Sequence, residues 1–324
     1  MIEDSSATSQ NSILNYSSLV LFLKGVAMGL GDSVPGVSGG TIAVITNIYE
    51  RLIFAIRSID GTAVRNLFAM KFAKLWQHID GNFLLLLALG VLSGLIISAN
   101  TVLYLLASYP EPLMSFFVGL VLASIWILRS QYERNSYAIW AAILFGVGIA
   151  ILVGNLEPRT ANVSPVYVFI CGAIGICAMI LPGLSGALIL LLLGVYHFVL
   201  TALVQFDIFY IVVFAAGCIV GLLGFSRVLA SLLKNYHNLT FGFISGMLLG
   251  SVYALWPWQQ AISFYIDSSG VQHPLQTVNI WPLNYTETTG NPSWLAISLI
   301  SFVGGIALVV YLYSIFNKKG AANV

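Results

Sequence analysis

Charged residues are scarce in this sequence. Lys, Arg, Asp and Glu make up 8% of the 324 residues and hydrophobic residues make up 59%, whereas an average soluble domain is roughly one quarter charged. This balance excludes an ordinary soluble domain and indicates a membrane protein. The formal net charge is +1, so the chain lacks the strong positive field that attracts nucleic acid, and no nucleic-acid partner is expected.

Cysteine is scarce as well. The three cysteines, Cys171, Cys177 and Cys218, lie in apolar runs, and no two of them form a CxxC pair. Isolated cysteines in such runs behave as small apolar side chains. Their number and spacing exclude a disulfide framework and indicate no metal site, and no cofactor is expected.

Long apolar runs, by contrast, are abundant. Two of them, 18–57 and 165–205, are interrupted near the centre by a Pro-Gly pair. Because Pro and Gly disrupt helix interiors, we predict a helix–break–helix hairpin for each. Six other runs have the roughly 17–26 residues that a helix needs to cross a bilayer. They are 82–108, 113–129, 137–155, 208–233, 238–256 and 294–316.

The two interrupted runs have related sequences. VPGVSGGTIAVITNIY around Pro35 returns 147 residues later as LPGLSGALILLLLGVY around Pro182. The similarity continues at an offset of 127 residues in the next spans and of 157 residues in the last span, where Phe145 matches Phe302. The offsets change in loops, where insertions are tolerated. We therefore predict one duplicated membrane domain, with repeats at 18–157 and 165–317.

The distribution of positive charge predicts the orientation of the chain. Five Lys and Arg residues flank or occupy the loop after the first hairpin, which we therefore place in the cytoplasm: Arg51, Arg57, Arg65, Lys71 and Lys74. Alternation from there places both termini in the cytoplasm and the loop 257–293 outside. Each half then has an odd number of crossings, so the halves are oppositely oriented. The predicted fold is an all-α polytopic membrane protein with an inverted-topology repeat, each half a broken re-entrant hairpin plus three transmembrane helices.

Two segments are predicted to lie outside the spans on the cytoplasmic side. Residues 1–17 are polar and contain Glu3 and Asp4 rather than a basic stretch, so we expect a polar tail and not a cleavable signal peptide. Residues 61–80 place apolar side chains on one helical stripe and basic ones off it. That pattern predicts an amphipathic helix on the cytoplasmic leaflet.

The Pro-Gly breaks are the candidate substrate site. A helix that begins within the membrane leaves free backbone N–H groups, which persist only when buried in protein or facing a cavity. Such a helix start suits phosphate or carboxylate. Ser38 and Thr41 add hydroxyl groups in the first motif and Ser185 in the second, so we expect the first motif to bind the charged group more directly. The alternative is that both motifs only allow helices to cross closely.

Charged side chains inside the apolar runs are unfavourable and usually functional. Asp32 precedes the first break and Glu50 ends the outgoing half-helix, so both are candidates for proton coupling. Arg227 lies inside a later run, where its guanidinium either binds phosphate or extends to the membrane surface. The predicted substrate-binding residues are Asp32, Pro35, Gly36, Ser38, Gly39, Gly40, Thr41, Pro182, Gly183, Ser185, Gly186 and Arg227.

The segments GVAMGLGDSVPGVSGGTIAVITNIYE and GAIGICAMILPGLSGALILLLLGVY resemble the two signature segments of a bacterial family of polyprenyl-phosphate transporters. The resemblance covers essentially the whole chain. It implies an inner-membrane flippase, not an enzyme, that returns undecaprenyl phosphate, the lipid carrier of peptidoglycan and cell-wall synthesis, from the outer to the inner leaflet. The head group would enter a polar cavity between the hairpins while the prenyl chain stays in lipid.

Other functions remain open from the residues alone. A secondary transporter of a small soluble anion would also use two broken hairpins. The sequences GVSG and GLSG also satisfy the short GxSG pattern of intramembrane rhomboid proteases, which keeps an intramembrane enzyme as a second alternative. Participation of protons and a homodimer are left open as well.

Overall fold

The two hairpins and the long spans form helices in the computed structural model, which describes residues 4–32, 38–133, 136–156, 164–266 and 272–320. The first half contains α1 (Asp4–Asp32), α2 (Gly39–Ile45), α3 (Tyr49–Arg57), α4 (Gly61–Phe68), α5 (Phe72–His78), α6 (Gly81–Ser108), α7 (Pro110–Leu128) and α8 (Tyr137–Gly154). The second contains α9 (Pro165–Ile180), α10 (Gly186–Leu192), α11 (Tyr196–Val204), α12 (Ile208–Asn235), α13 (His237–Ala254), β1 (Gln259–Ile266), β2 (Gln272–Asn279), α14 (Pro282–Thr289) and α15 (Leu295–Gly320).

Several helices have the length and composition of membrane spans. Among the described residues, α6, α7, α8 and α12 are each long and apolar enough to cross a bilayer, and two bent helix pairs raise the number to as many as six. The all-α polytopic class predicted from the sequence is confirmed. The opposite orientation of the two halves stays a prediction.

Each hairpin bends between the two helices that follow its Pro-Gly motif. α2 and α3 meet at 118°, and α10 and α11 meet at 105°. Asn47 and Gly194, which are equivalent in the two repeats, lie at these bends with positive φ angles of 56° and 71°. Gly and Asn adopt this left-handed conformation most readily, and it interrupts a helix. The prediction that Glu50 ends the outgoing half-helix is therefore wrong, because Glu50 lies in the first turn of α3.

Helices within each half pack through matching glycines. α1 packs against α6, and α9 packs against α12. A methyl group on Gly25 would overlap the Leu87 carbonyl, and one on Gly172 would overlap the Phe214 carbonyl. The two contacts are related by the offsets of 147 and 127 residues that relate the sequences. Close approach of this kind favours association in lipid, where no hydrophobic force drives helices together.

The third span of each half packs on the second span of the other half. α15 lies against α7, and α8 lies against α13. A methyl group on Gly305 would overlap the Phe116 carbonyl, and one on Gly146 would overlap the Phe243 carbonyl. These matching contacts align α8 with α15 at an offset of 159 residues. The offset of 157 expected from the sequence is therefore wrong by two residues, because the surface that contacts the partner helix sets the register.

The segment predicted to form an amphipathic helix, 61–80, forms two short helices. α4 and α5 are separated at Met70, whose φ is 53°. Their apolar side chains are uncovered, since Phe68 and Phe72 are 83% and 61% exposed. An uncovered apolar surface beside basic residues is typical of a segment that rests on a lipid leaflet, and that placement stays a prediction.

The segment 257–293, predicted to be external, is folded. β1 and β2 form an antiparallel pair, which the sequence analysis did not predict. The indole N–H of Trp258 donates to the Ser293 carbonyl at 2.9 Å. The Tyr285 hydroxyl of α14 donates to the Glu111 carboxylate of α7 at 2.7 Å, and both side chains are buried. This contact joins the segment to the spans.

Candidate functional site

The two Pro-Gly-x-Ser-Gly motifs lie in direct contact. The Ser38 hydroxyl donates to the Met179 carbonyl at 3.1 Å, and the Tyr49 hydroxyl donates to the Ile180 carbonyl at 3.3 Å. In the opposite direction, the Gly183 N–H donates to the Thr41 hydroxyl at 3.1 Å. The end of α9 leaves backbone groups without helical partners, and the first motif supplies those partners.

In the first motif, protein groups already occupy the start of α2. The Gly39 N–H donates to the Asp32 carboxylate, and the Gly40 N–H donates to the Ser38 hydroxyl at 3.1 Å. Asp32 is thus the anion that the positive end of this helix favours. Ser38 and Thr41 are only 2% and 1% exposed. The two bonds at the start of α2 lie within the first hairpin, whereas the bonds of Ser38 to the Met179 carbonyl and of Thr41 to the Gly183 N–H join the two hairpins.

The second motif is more open. Met179 stands at the position equivalent to Asp32, so its thioether, and not a carboxylate, lies against Gly186. Ser185 is the N-cap of α10, and its hydroxyl accepts a long hydrogen bond of 3.5 Å from the Leu188 N–H. Ser185 is half-buried. Its hydroxyl is less firmly held than that of Ser38, so a ligand can compete for it.

A cavity of about 230 Å³ lies between the motifs. Its polar lining comes from Asp32, Ser38, Ser185 and Tyr196, and α9, α10 and α12 supply apolar walls. At about 30 Å³ per water, the volume equals roughly eight waters, which is enough for a phosphate group. The described lining contains no Lys or Arg, so an anion bound here meets hydroxyl groups and one carboxylate.

The backbone at the second break requires its glycine. Pro182 and Gly183 are buried, and Gly183 has a φ of 88°. A methyl group there would lie 2.7 Å from the Met247 carbonyl. The equivalent residues Pro35 and Gly36 lie outside the described residues.

Known proteins resemble the chain over most of its length. A family described as undecaprenyl phosphate translocase-like matches residues 28–273, which include both motifs and every residue given above as lining the cavity. The chain is 41% identical over 310 residues to a polyprenyl-phosphate transporter of Vibrio cholerae, covering 94% of this chain and 98% of that protein. It is 32% identical over 253 residues to a polyprenyl-phosphate transporter of Staphylococcus aureus, covering 72% and 85%. The chain belongs to the undecaprenyl phosphate translocase-like family. No solved structure matches it.

In this member of the undecaprenyl phosphate translocase-like family, Arg227 and Glu50 lie away from the cavity. Arg227 is exposed, and its guanidinium donates to the Leu223 carbonyl at 2.7 Å and to the Ile59 carbonyl at 3.1 Å. It follows Cys218, which lines the cavity, by nine residues of α12, or about 13 Å at 1.5 Å per residue. Glu50 lies 3.0 Å from the ring of His237. Both groups are thus near the side predicted to be cytoplasmic.

Sequence reasoning missed some of the residues that form this site. Tyr196 lines the cavity, and the signal was present because Tyr49 and Tyr196 are equivalent in the two repeats. Phe214 also lines it, but nothing in its local sequence marks it. His237 begins α13. Nothing in the sequence relates it to Glu50, and only the structure shows that the two side chains are in contact.

Proposed function

We propose that the protein is a flippase that moves undecaprenyl phosphate from the outer to the inner leaflet of the bacterial inner membrane, with both termini in the cytoplasm. Through this movement the protein would recycle the lipid carrier that cell-wall synthesis uses. The observation that carries the proposal is the cavity that both motifs line, with polar side chains on otherwise apolar walls, within a set of membrane helices. The names of the Vibrio cholerae and Staphylococcus aureus relatives support polyprenyl phosphate as the substrate.

The phosphate head group binds in the cavity, chiefly through the second motif. Ser185 donates to a phosphate oxygen from the start of α10. The first motif, from Ser38 to Thr41, frames the site and holds the two breaks together. This division differs from the expectation that the first motif contacts the charge more directly. It is supported by the burial of Ser38 and Thr41 and by their hydrogen bonds to the second hairpin.

Asp32 couples this binding to a proton. A phosphate and a carboxylate in one small cavity repel strongly, because the surrounding apolar helices screen charge poorly. Binding therefore favours the protonated form of Asp32, and release on the other side returns the proton. Glu50, beside His237, is the second candidate coupling group.

Arg227 binds the head group as it is released from the cavity. Its guanidinium now bonds to the Ile59 carbonyl, a neutral acceptor that a phosphate can displace because a charged pair is stronger. The head group would leave the cavity toward this residue on the cytoplasmic side.

An enzymatic function has less support. The hydrogen-bond partners of Ser38 and Ser185 are backbone groups, whereas a serine nucleophile is activated by an adjacent base. The names of the relatives also indicate a transporter.

Leaflet-resolved transport tests the proposal. Liposomes that contain the purified protein and a fluorescent polyprenyl phosphate should move the lipid between leaflets faster than protein-free liposomes. Ser185→Ala should weaken binding by about tenfold to a hundredfold, because a hydrogen bond to a charged group contributes about 1.5–3 kcal/mol. Asp32→Asn should remove the dependence of transport on a proton gradient.

Ser93→Ala is the matched control, since the Ser93 hydroxyl donates to the Leu89 carbonyl of its own helix. It should transport like the wild type. Equal rates with and without wild-type protein would contradict lipid transport. Accelerated uptake of inorganic phosphate without lipid movement would instead identify a carrier of small anions.

A further inference from the structure

An apolar groove adjoins the cavity between the two motifs. It has a volume of about 390 Å³ and lies between α9, α11 and α12, with Val168, Phe198, Ala202, Tyr210, Ala215 and Ile219 in its lining. We propose that this tail groove holds the first isoprene units of the substrate, those next to the phosphate. The proposal rests on the proposed function and narrows it, because the prenyl chain then begins in protein and only its remainder lies in lipid.

The position of the groove supports this occupant. Phe214 and Cys218 line both the cavity between the motifs and the tail groove. A phosphate bound beside Ser185 therefore has the tail groove as the next volume for the carbon chain attached to it. The carbon chain attached to that phosphate can continue into the tail groove without exposing apolar surface to water.

The volume also fits. A cavity of about 150 Å³ binds benzene, which has six carbons. The tail groove therefore has room for about two or three five-carbon isoprene units. A polyprenyl chain longer than this extends into the lipid, where it meets the same apolar surroundings.

The groove distinguishes the second half from the first. At the equivalent positions of the first half, Phe83 and Leu87 stand in place of Tyr210 and Phe214, and they are only 1% and 4% exposed. The guanidinium of Arg51 covers the Phe83 ring at 4.3 Å. The open groove thus lies in the second half, which is also the half whose motif serine, Ser185, can bind a ligand in the cavity.

Recognition in the tail groove must depend on shape. Lipid tails are as apolar as the groove, so burial alone gives no preference for protein over membrane. A groove walled by the rings of Phe198, Tyr210 and Phe214 instead favours a chain whose branches fill the spaces between them, since unfilled space loses contact energy. Branched isoprene units meet this requirement, and straight acyl chains do not.

Competition binding to the purified full-length protein tests the proposal. Farnesyl phosphate, with three isoprene units, and dodecyl phosphate, with a straight chain, compete against a fluorescent polyprenyl phosphate. The wild type should prefer farnesyl phosphate by about tenfold. Ala215→Trp fills the groove and should abolish that preference. Ala88→Trp, the equivalent and similarly exposed position of the first half, should retain it.

Each outcome has one meaning. A preference retained in Ala215→Trp, and in Leu203→Trp from the opposite wall, overturns the tail groove and leaves the proposed function intact. Equal binding of both competitors to the wild type shows that the groove takes any acyl chain, which also overturns it. No binding of any lipid phosphate to the wild type overturns the proposed function itself. Leu203→Trp also serves as the test variant if Ala215→Trp does not fold.

Discussion

At the scale of residues, the second break depends on one backbone conformation. Gly183 combines a φ of 88° with close approach to the Met247 carbonyl, and its N–H donates to Thr41. Any larger residue at position 183 would therefore be destabilised both by the left-handed backbone conformation and by overlap with the Met247 carbonyl. Asp32 and Ser38 serve the first break differently, by bonding to the N–H groups that begin α2.

Gly183→Ala should lower stability clearly. A left-handed conformation costs a non-glycine residue about 1–2 kcal/mol, and overlap with the carbonyl adds to that. The measurement is the apparent midpoint of thermal unfolding in detergent, which should fall by several degrees. Gly224→Ala is the control, since nothing lies within 4 Å of a methyl group there. An unchanged midpoint for Gly183→Ala would contradict the geometry of the break.

At the scale of elements, the segment containing α14 is held to the spans by the bond between Tyr285 and Glu111. Burial, together with the hydrogen bond to the Glu111 carboxylate, raises the pKa of Tyr285 to about 12. The neutral hydroxyl is the form that donates. Its contribution to stability is therefore present below the ordinary tyrosine pKa of about 10 and is lost as the pH rises through about 12.

Tyr285→Phe should loosen this segment. Removal of the hydroxyl leaves the buried carboxylate without that donor, which costs about 1.5–3 kcal/mol for a hydrogen bond to a charged group. Limited proteolysis between β2 and α15 should become faster by about tenfold or more. Tyr253→Phe is the control, because the Tyr253 hydroxyl makes only a 3.5 Å contact with Asn155 from an exposed position. Equal cleavage of both variants would contradict the assigned role.

At the scale of the whole molecule, the duplicated halves are not arranged identically. α3 packs against α12, and the Ile59 carbonyl at its end accepts from Arg227. Applying the repeat offsets to these two residues gives positions 206 and 100. We expect the opposite access state to bring this second pair together, because alternating access moves one repeat against the other.

Cross-linking tests this expectation. Cysteines at positions 59 and 227 should be joined by a short bifunctional reagent in the present state, and cysteines at 100 and 206 in the other. Substrate should shift the yields of the two pairs in opposite directions. The pair at 59 and 227 lacks Arg227, so transport is measured in the pair at 100 and 206, which keeps it. A pair at 100 and 206 that never reacts in a variant that still transports the lipid, while the pair at 59 and 227 reacts fully, would contradict an exchange between the halves.

Much of the fold could be predicted from the sequence because glycine and proline act locally. The breaks near Pro182, and the glycine contacts of Gly25 and Gly172, need particular residue types that the sequence displays. The position of Arg227 outside the cavity could not be predicted from the sequence. The pattern of apolar residues in α12 determines neither the rotation of that helix nor the residues beside it. The capping of α2 by Asp32 could not be predicted either, because it depends on the relative position of α1 and α2, which the local sequence does not determine.

The packing of α8 on α13 has a consequence for biosynthesis. Gly146 and the surface around it are made well before their partner helix, because on the order of 80 residues separate the two, or about 4–16 s of translation at about 5–20 residues per second. During that interval lipid covers the surface of α8 that later contacts α13. The surface of α7 that contacts α15 is covered by lipid for longer. The nascent chain therefore completes its membrane domain only when the last helix has left the ribosome.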